Sequence, residues 1–186
     1  MNHPLHFGIC ALAAASLACS VFVGGPAFPD PPVPNSPEAL QALQAELERA
    51  RVESMAGGTL RLQLTQEQLT AYVASRLSLQ HQPVITGPQV VLGEQEMVVY
   101  GRAQSWIFEA NVSVTAVFSS DDLGRPQISV TNAELGPMPM PQWLRDGIAA
   151  AMNEALTGYI GPAAIGFRLD SIGISGGVMT VTGRLQ

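Results

Sequence analysis

An alternating run in the middle of the chain limits the fold more than any other feature. From Phe108 to Phe118 every even-numbered residue is apolar, and four of the residues between them are polar: Glu109, Asn111, Ser113 and Thr115. Such alternation is typical of a strand with one face on a core and the other toward solvent. At about twelve residues the predicted strand is roughly twice the usual length. The chain must therefore supply a long apolar cover for it.

Helical patterns on both sides of this strand supply the predicted cover. Thr65 and Gln68 form a capping box, and apolar residues recur at helical spacing over 66–79 and, more broadly, over 141–160. Residues 80–89 are predicted to form a loop, because Pro83 and Gly87-Pro88 interrupt regular structure. Short turns join the strands, and the last two strands meet at Gly176-Gly177, a strong hairpin signal. We predict an α+β domain over 59–186 in which a long curved antiparallel β-sheet wraps around the long helix at 141–160.

The N-terminus is apolar and uncharged. No Asp, Glu, Lys or Arg precedes Asp30, and Phe7–Gly25 is near the minimum length for spanning a bilayer as a helix. We predict a signal or anchor segment over 1–28 that forms an N-terminal hydrophobic helix. Four fates stay open: an uncleaved anchor, lipidation of Cys19, cleavage after Ala27, or a helix buried in the fold. The first three place the domain beside a membrane.

A proline-rich stretch and a charged helix follow this segment. Residues 29–36 are predicted to form an extended, semi-rigid linker. Ser36 and Pro37 give a capping residue and a proline at the first helical position, so we predict an amphipathic helix over 37–55. This helix either packs on the domain or acts as a stalk. The acidic domain is compatible with export, so we expect it at the cell membrane on the extracytoplasmic side.

Composition excludes several classes of function. The formal net charge is −6, and the nine basic residues, all arginine, are scattered, so we predict no nucleic-acid partner. Both cysteines lie in the N-terminal segment and His81 is the single histidine outside it, which excludes zinc-thiolate and paired-histidine sites in the domain. We predict no metal, no cofactor and no enzymatic activity, although hydrolysis by carboxylates alone stays open.

The stretch "GPMPMPQW", residues 136–143, joins a strand to the helix at 141–160. Its prolines are explained as punctuation, because proline ends strand pairing and is tolerated at the start of a helix. Its methionines are not, since methionine is a flexible residue that is over-used at adaptable binding surfaces. Met138 and Met140 beside Trp143 predict either core filling or the lip of a hydrophobic groove.

The order of these segments resembles a known family. It runs "LQLTQEQLTAYVASRL", "PVITGPQVVLGEQEMVVYGRA", the long alternating strand, "ELGPMPMPQWL" and "SIGISGGVMTVTGR". This order is similar to the membrane-anchored bacterial proteins of the YpmS and DUF2993 kind, which are similar in turn to the tubular lipid-binding (TULIP) superfamily. The resemblance covers about residues 59–186 and includes no catalytic motif. It implies an elongated α+β wrap whose cavity holds an acyl chain.

Two functions of different classes fit the sequence. One is a membrane-tethered, non-catalytic lipid-binding or lipid-handling domain that holds a lipid or fatty-acid chain in an apolar groove. The other is a structural or protein-interaction module of the cell envelope with a filled core. The groove residues predicted for the first are Phe108, Val112, Met138, Met140, Trp143, Ile148, Met152, Ala155 and Leu156. Headgroup contact and ordinary surface charge are alternative roles for four arginines: Arg61, Arg76, Arg102 and Arg168.

Overall fold

The computed structural model describes residues 21–79, 85–104, 108–120, 126–157 and 167–185. The described helices and strands follow one another in the order β1 (Val21–Phe22), α1 (Pro37–Gly57), β2 (Thr59–Thr65), α2 (Gln66–Ser78), β3 (Ile85–Leu92), β4 (Glu96–Gln104), β5 (Phe108–Ser120), β6 (Pro126–Leu135), β7 (Met138–Pro139), α3 (Gln142–Thr157), β8 (Phe167–Ser175) and β9 (Val178–Leu185). The predicted α+β class, with mostly antiparallel strands, is confirmed.

The described strands form two sheets, where the sequence predicted one. The larger sheet has the order β3-β4-β5-β6-β7, with β1 parallel to β5, and the smaller sheet has the order β2-β9-β8. Strand β9 pairs with β2 from Val178 to Arg184 along one edge and with β8 along the other. Both edges of β9 are therefore occupied, so it does not extend the larger sheet.

Strand β5 confirms the long alternating strand. It covers Phe108–Ser120 and pairs with β4 on one side and β6 on the other. The even-numbered residues face the core: Ala110 and Ala116 are fully buried and Val112 nearly so. A bulge at Thr115/Ala116 shifts the register against β6. The alternation thus reports the buried face correctly over the length of the strand.

Two different covers lie on the apolar face of the larger sheet. At one end Val90 and Leu92 pack in a cluster with Leu43 of α1 and Ile174 of β8. At the other end the cluster is made by β4, β5, β6 and the chain that leads into α3, and consists of Ala103, Val112, Ala133 and Met140, with Ile148 of α3 packed against it. Helix α3 therefore covers one end of the sheet, and the full wrap around it is not shown.

Helix α1 begins where the sequence signals place its start. The Ser36 hydroxyl accepts a hydrogen bond from the Ala39 N–H at 3.1 Å, with Pro37 at the first helical position. The helix ends at Gly57 and is capped by Gly58, whose φ of 70° is readily adopted by glycine. Leu43 and Ala50 are buried, and the helix contacts β2 and α2. Of the two roles that the sequence left open, α1 packs on the domain.

Two glycine-proline pairs lie in structures that differ from the predicted ones. Gly87-Pro88 was predicted to lie in a loop but lies within β3, at a bulge in its pairing with β4. Proline is tolerated there because β3 is an edge strand and a bulge leaves ladder positions unused. Gly136-Pro137 was predicted to end strand pairing, yet Met138 pairs with Leu135 across this turn. Gly136 makes the turn with a φ of 62°.

Residues 21–36 run from β1, which is paired within the larger sheet, onto the polar face of that sheet. The Asn111 side-chain amide donates to the Pro26 carbonyl at 3.0 Å, and the rings of Phe28 and Tyr100 are 6.0 Å apart. Farther along, the Val33 N–H donates to the Gln89 side chain at 3.0 Å. This segment, which we call the strap, thus contacts β5, β4 and β3 in turn before α1 begins.

The predicted N-terminal segment falls mostly outside the described residues. Residues 1–20, which include Cys19, are not part of the description, while Val21–Phe22 are extended and paired with β5. The helices that the structure does describe are too short or too polar to cross a membrane.

Candidate functional site

Three of the predicted groove residues meet under α3. Val112 of β5 and Met140 are each 7% exposed, and Ile148 of α3 is half-buried against them. The Met140 N–H donates to the Ala133 carbonyl at 2.8 Å, which fixes the chain beside β6 at the edge of the sheet just before the helix starts. We call this region, made of Ala103, Val112, Ala133, Met140 and Ile148, the apolar layer.

Met138 and Trp143 lie at the surface and not in the apolar layer. Met138 is 66% exposed in the tight hairpin between β6 and β7, and Trp143 is 74% exposed in the first turn of α3. In the stretch 136–143, Met140 is thus buried, whereas Met138 and Trp143 are exposed. Met140 therefore fills the core, whereas Met138 is exposed and the groove lip predicted for it stays a prediction.

The other predicted groove residues are less closely defined. Phe108 is half-buried at the start of β5, where it pairs with Val21. Met152, Ala155 and Leu156 belong to α3, but their side chains lie outside what the structure describes. Cys19, the predicted lipidation residue, also lies outside it.

Arg145 of α3 is a candidate that the sequence analysis missed. Its side chain is half-buried, and within the described part of the chain its Nε is buried without a hydrogen-bond partner. It precedes Ile148 by three residues, so both lie on the same side of the helix. Asp146 and Gly147 between them are exposed. The i, i+3 spacing of an arginine within the apolar stripe of α3 was the sequence signal for this residue.

An unpartnered N–H at this place has a physical consequence. Leaving a buried donor unsatisfied costs about 1–3 kcal/mol, and more for charged groups. An acceptor that reaches Arg145 Nε from a ligand recovers that free energy, and a carboxylate or phosphate oxygen makes the strongest such bond. The edge of the apolar layer therefore offers one cationic donor beside apolar side chains.

The arginines proposed from sequence occupy other places. Arg102 makes an ion pair with Glu109 at 3.0 Å and lies 5.9 Å from the Phe28 ring, on the strap side of the sheet. Arg76 lies over Tyr72 of its own helix, 5.2 Å from the ring centroid. Arg61 is exposed on β2, and the Arg168 side chain is outside the description. None of the three described arginines borders the apolar layer.

Two open pockets lie in the described part of the molecule. One, of about 370 Å³, lies between the strap and the β6–β7 hairpin and is lined by Gly25, Pro26, Glu134, Gly136, Pro137, Met138 and Pro139. The other, of about 350 Å³, borders the smaller sheet near Ile172 and Phe118. Neither is lined by the apolar layer. Within the described residues no group of three or more His, Cys, Asp or Glu side chains is placed to hold a metal ion.

Comparison with known proteins assigns no family. No family model matches the chain, and neither the curated proteins nor the solved structures give a match. The similarity to tubular lipid-binding proteins stays a hypothesis.

Proposed function

We propose that this protein is a membrane-tethered, non-catalytic lipid-handling domain that holds an acyl chain between its larger sheet and α3. The observation that carries the proposal is Arg145 Nε, a buried donor that has no hydrogen-bond partner among the described residues and lies beside the apolar layer. An apolar region with one cationic donor at its edge matches an amphiphile with an anionic head. The chain would lie against Val112, Met140 and Ile148, and its carboxylate or phosphate would accept from Arg145.

The acyl chain and Arg145 contribute different amounts of binding free energy. Burying a fourteen-carbon chain contributes roughly 10 kcal/mol at about 0.8 kcal/mol per CH₂, before the cost of immobilisation. A hydrogen bond to a charged group contributes about 1.5–3 kcal/mol. The acyl chain therefore sets most of the affinity, and Arg145 selects lipids with an anionic head. In this proposal α3 and the larger sheet play the parts of the helix and the sheet in a tubular lipid-binding wrap.

The tether rests on the N-terminal segment. The Val23 N–H donates to the Glu109 carbonyl, and the Asn111 N–H donates to the Gly24 carbonyl, both at 2.9 Å. Cleavage after Ala27 would remove these bonds, so they favour the three fates that keep residues 21–27, and two of those tether the domain: an uncleaved anchor or a lipidated Cys19. Either one holds the domain at the cell membrane, and we propose that it faces the extracytoplasmic side.

A second candidate function is a protein-interaction module with a filled core. The tight packing of the apolar layer favours it, because Ala133 is 1% exposed and Val112 and Met140 are 7% exposed without any bound chain. In that case α3 would be a structural cover, and a partner would bind elsewhere on the surface. The two functions differ in whether an acyl chain enters the layer, and this can be measured directly.

The test uses the full chain in phosphatidylcholine nanodiscs and a fatty acid with a photoreactive group on its chain. We expect crosslinks in peptides that contain Met140 and Ile148. Arg145→Met keeps the bulk of the side chain and removes the donor, so the crosslinking yield should fall about tenfold, as a loss of roughly 1.4 kcal/mol predicts. Arg61→Met, on the exposed face of β2, is the matched control and should leave the yield unchanged.

Two results would contradict the proposal. Equal yields from the wild type and Arg145→Met would remove Arg145 from the site. Crosslinks spread over the surface, with none in the apolar layer, would show that the layer is filled and would favour the interaction module.

A further inference from the structure

A second apolar surface lies where the N-terminal segment joins the domain. Val21, Phe22 and Val23 are 61%, 57% and 43% exposed, although Val21 and Phe22 pair with β5 through their backbone. Successive residues of a strand point to opposite faces of a sheet, so these apolar side chains are held on both sides of the sheet edge while much of their surface faces outward.

The β6–β7 hairpin lies beside these residues. A Cβ atom added at Gly136 would be 3.4 Å from Cγ2 of Val23, and one added at Gly25 would be 3.0 Å from the Gly136 Cα. Gly25 and Met138 also line the same pocket. Met138 therefore adjoins the end of β1, and Trp143 follows it by five residues at the start of α3.

Exposed apolar side chains are concentrated at this end. Of the ten large hydrophobic residues that are exposed in the described part, half belong to it. Clustered apolar surface of this kind marks an interaction site, whereas singly scattered residues need no explanation. We call this surface the docking end and define it by Val21, Phe22, Val23, Met138 and Trp143.

We propose that the docking end rests on the lipid surface of the membrane that tethers the protein. The chain that precedes Val21 has twenty residues without an Asp, Glu, Lys or Arg, and it joins the domain at this surface. An apolar segment that enters a bilayer would place Val21 at the interface, with Met138 and Trp143 beside it. Tryptophan favours that position because its ring is apolar and its N–H is polar.

The tether also explains how a surface as small as the docking end can bind the membrane. Linking raises the effective concentration of a second contact to the millimolar range for short connections, so a weak interface forms once the segment is in the bilayer. Charge indicates which lipids it meets. The exposed Asp146 and the half-buried Glu134 lie nearby, and no basic cluster accompanies them in the described residues. The contact is therefore apolar insertion into a neutral surface, not attraction to anionic headgroups.

This inference shares with the proposed function only the tether. It holds if the apolar layer is filled, and the acyl chain can enter that layer whether or not the docking end touches lipid. Its test reads the depth of Trp143, which photocrosslinking in the apolar layer does not report.

The experiment reconstitutes the full chain in phosphatidylcholine vesicles whose acyl chains carry bromine near the headgroup. The chain has two tryptophans, so Trp106→Phe leaves Trp143 as the single emitter. We expect blue-shifted emission that is largely quenched in brominated vesicles and unquenched in ordinary ones. Adding Phe22→Ser and Met138→Ser should abolish most of the quenching while flotation shows that the protein stays on the vesicles. Leu47→Ser with Val52→Ser, exposed on α1, is the matched control and should leave the quenching unchanged.

Either of two outcomes overturns the proposal. Emission typical of water, with no quenching, would show that the docking end faces solvent. Blue-shifted emission that bromine does not quench would show that protein covers Trp143, either a second copy of this chain or another partner.

Discussion

The side-chain oxygen of Thr70, on α2, accepts a hydrogen bond from the backbone N–H of Val90, on β3, at 2.9 Å, and both residues are fully buried. Two residues farther along β3, the Leu92 N–H donates to the Gln66 side chain at 2.8 Å. Because β3 is an edge strand of the larger sheet, these N–H groups have no partner among the described strands. Helix α2 supplies the missing acceptors and closes the edge against pairing with another chain.

We predict that Thr70→Val lowers the free energy of unfolding by about 1–3 kcal/mol, because it leaves the buried Val90 N–H unsatisfied while keeping the side-chain shape. Urea denaturation followed by circular dichroism measures the change. Thr131→Val is the control, since the Thr131 hydroxyl bonds to the Thr115 carbonyl at an exposed position and should change stability by less than about 0.5 kcal/mol. Equal losses in the two variants would argue against a special role for Thr70.

Local signals predicted the separate elements of this fold well. The Thr65/Gln68 capping box is present in full at the start of α2, and Gly176-Gly177 joins β8 to β9 with both residues at positive φ. Each signal depends on hydrogen bonds or backbone angles within a few residues, which sequence reports directly. The division into two sheets depends on whether β9 pairs with β2 or with a strand of the larger sheet. The alternation of apolar and polar residues along β9 would be the same in both cases.

The candidate site was predicted only in part for a similar reason. Alternation along β5 and helical spacing along α3 placed Val112 and Ile148 on facing surfaces, and both lie in the apolar layer. Nothing local distinguishes Met138 from Met140, because their directions depend on the hairpin that β7 makes with β6. Arg145 was overlooked because a charged residue at the edge of an apolar stripe is usually solvated, and only packing shows that its Nε is buried.

Glu46 joins α1 to β2 and gives the protein a defined pH dependence. Its carboxylate accepts hydrogen bonds from Arg49 and, at 3.1 Å, from the Gln63 N–H. The bond from Arg49 is the main reason that the pKa of Glu46 lies below its ordinary value of 4.5; partial burial opposes the shift and the Gln63 bond adds to it. A lowered pKa in the folded state means that the stabilisation is complete above pH 4.5 and is lost as the pH falls through the folded-state pKa.

We therefore predict that Glu46→Gln is less stable than the wild type at pH 7, by about 0.5–1 kcal/mol for a partly exposed pair. The difference should shrink toward zero once the pH falls below the pKa of Glu46 in the folded state. Urea denaturation at a series of pH values measures it, with Glu48→Gln at a neighbouring exposed position as the control. A difference that is the same at pH 7 and pH 3 would show that the charge of Glu46 is not its cause.

Gly25 fixes the strap to β5. Its φ is 129°, and a Cβ atom there would lie 2.6 Å from the Asn111 carbonyl oxygen, which accepts the Gly136 N–H. Gly24 also has a positive φ, of 88°, but a Cβ atom there meets nothing within 4 Å. We predict that Gly25→Ala separates the strap from β5, whereas Gly24→Ala introduces backbone strain alone.

Hydrogen exchange at the Asn111 amide measures this effect, because that N–H donates to the Gly24 carbonyl at 2.9 Å. Gly25→Ala should make the exchange much faster, and Gly24→Ala should do so only modestly. If the Asn111 backbone N–H exchanges at the same rate in the two variants, the close approach of Gly25 to β5 does not hold the strap in place.

Ala133 offers a test of whether the apolar layer admits a ligand. It is 1% exposed under α3, and its carbonyl accepts the Met140 N–H. Adding a larger side chain to a filled core costs about 1–3 kcal/mol. If the layer instead opens for an acyl chain, the side chain of Ala133→Leu occupies that space. We predict that the lipid-free protein loses clearly less unfolding free energy than this overpacking cost, and that fatty-acid crosslinking is lost.

Ala116→Leu is the matched control for this experiment. Ala116 is fully buried on β5 beside Met97, which packs in the cluster at the other end of the sheet. That end is covered by α1, α2 and the smaller sheet, so Ala116→Leu should carry the whole overpacking penalty and leave crosslinking intact. If Ala133→Leu destabilises the protein as much as Ala116→Leu does, the layer under α3 is as closely filled as the rest of the core, and the acyl chain has no place there.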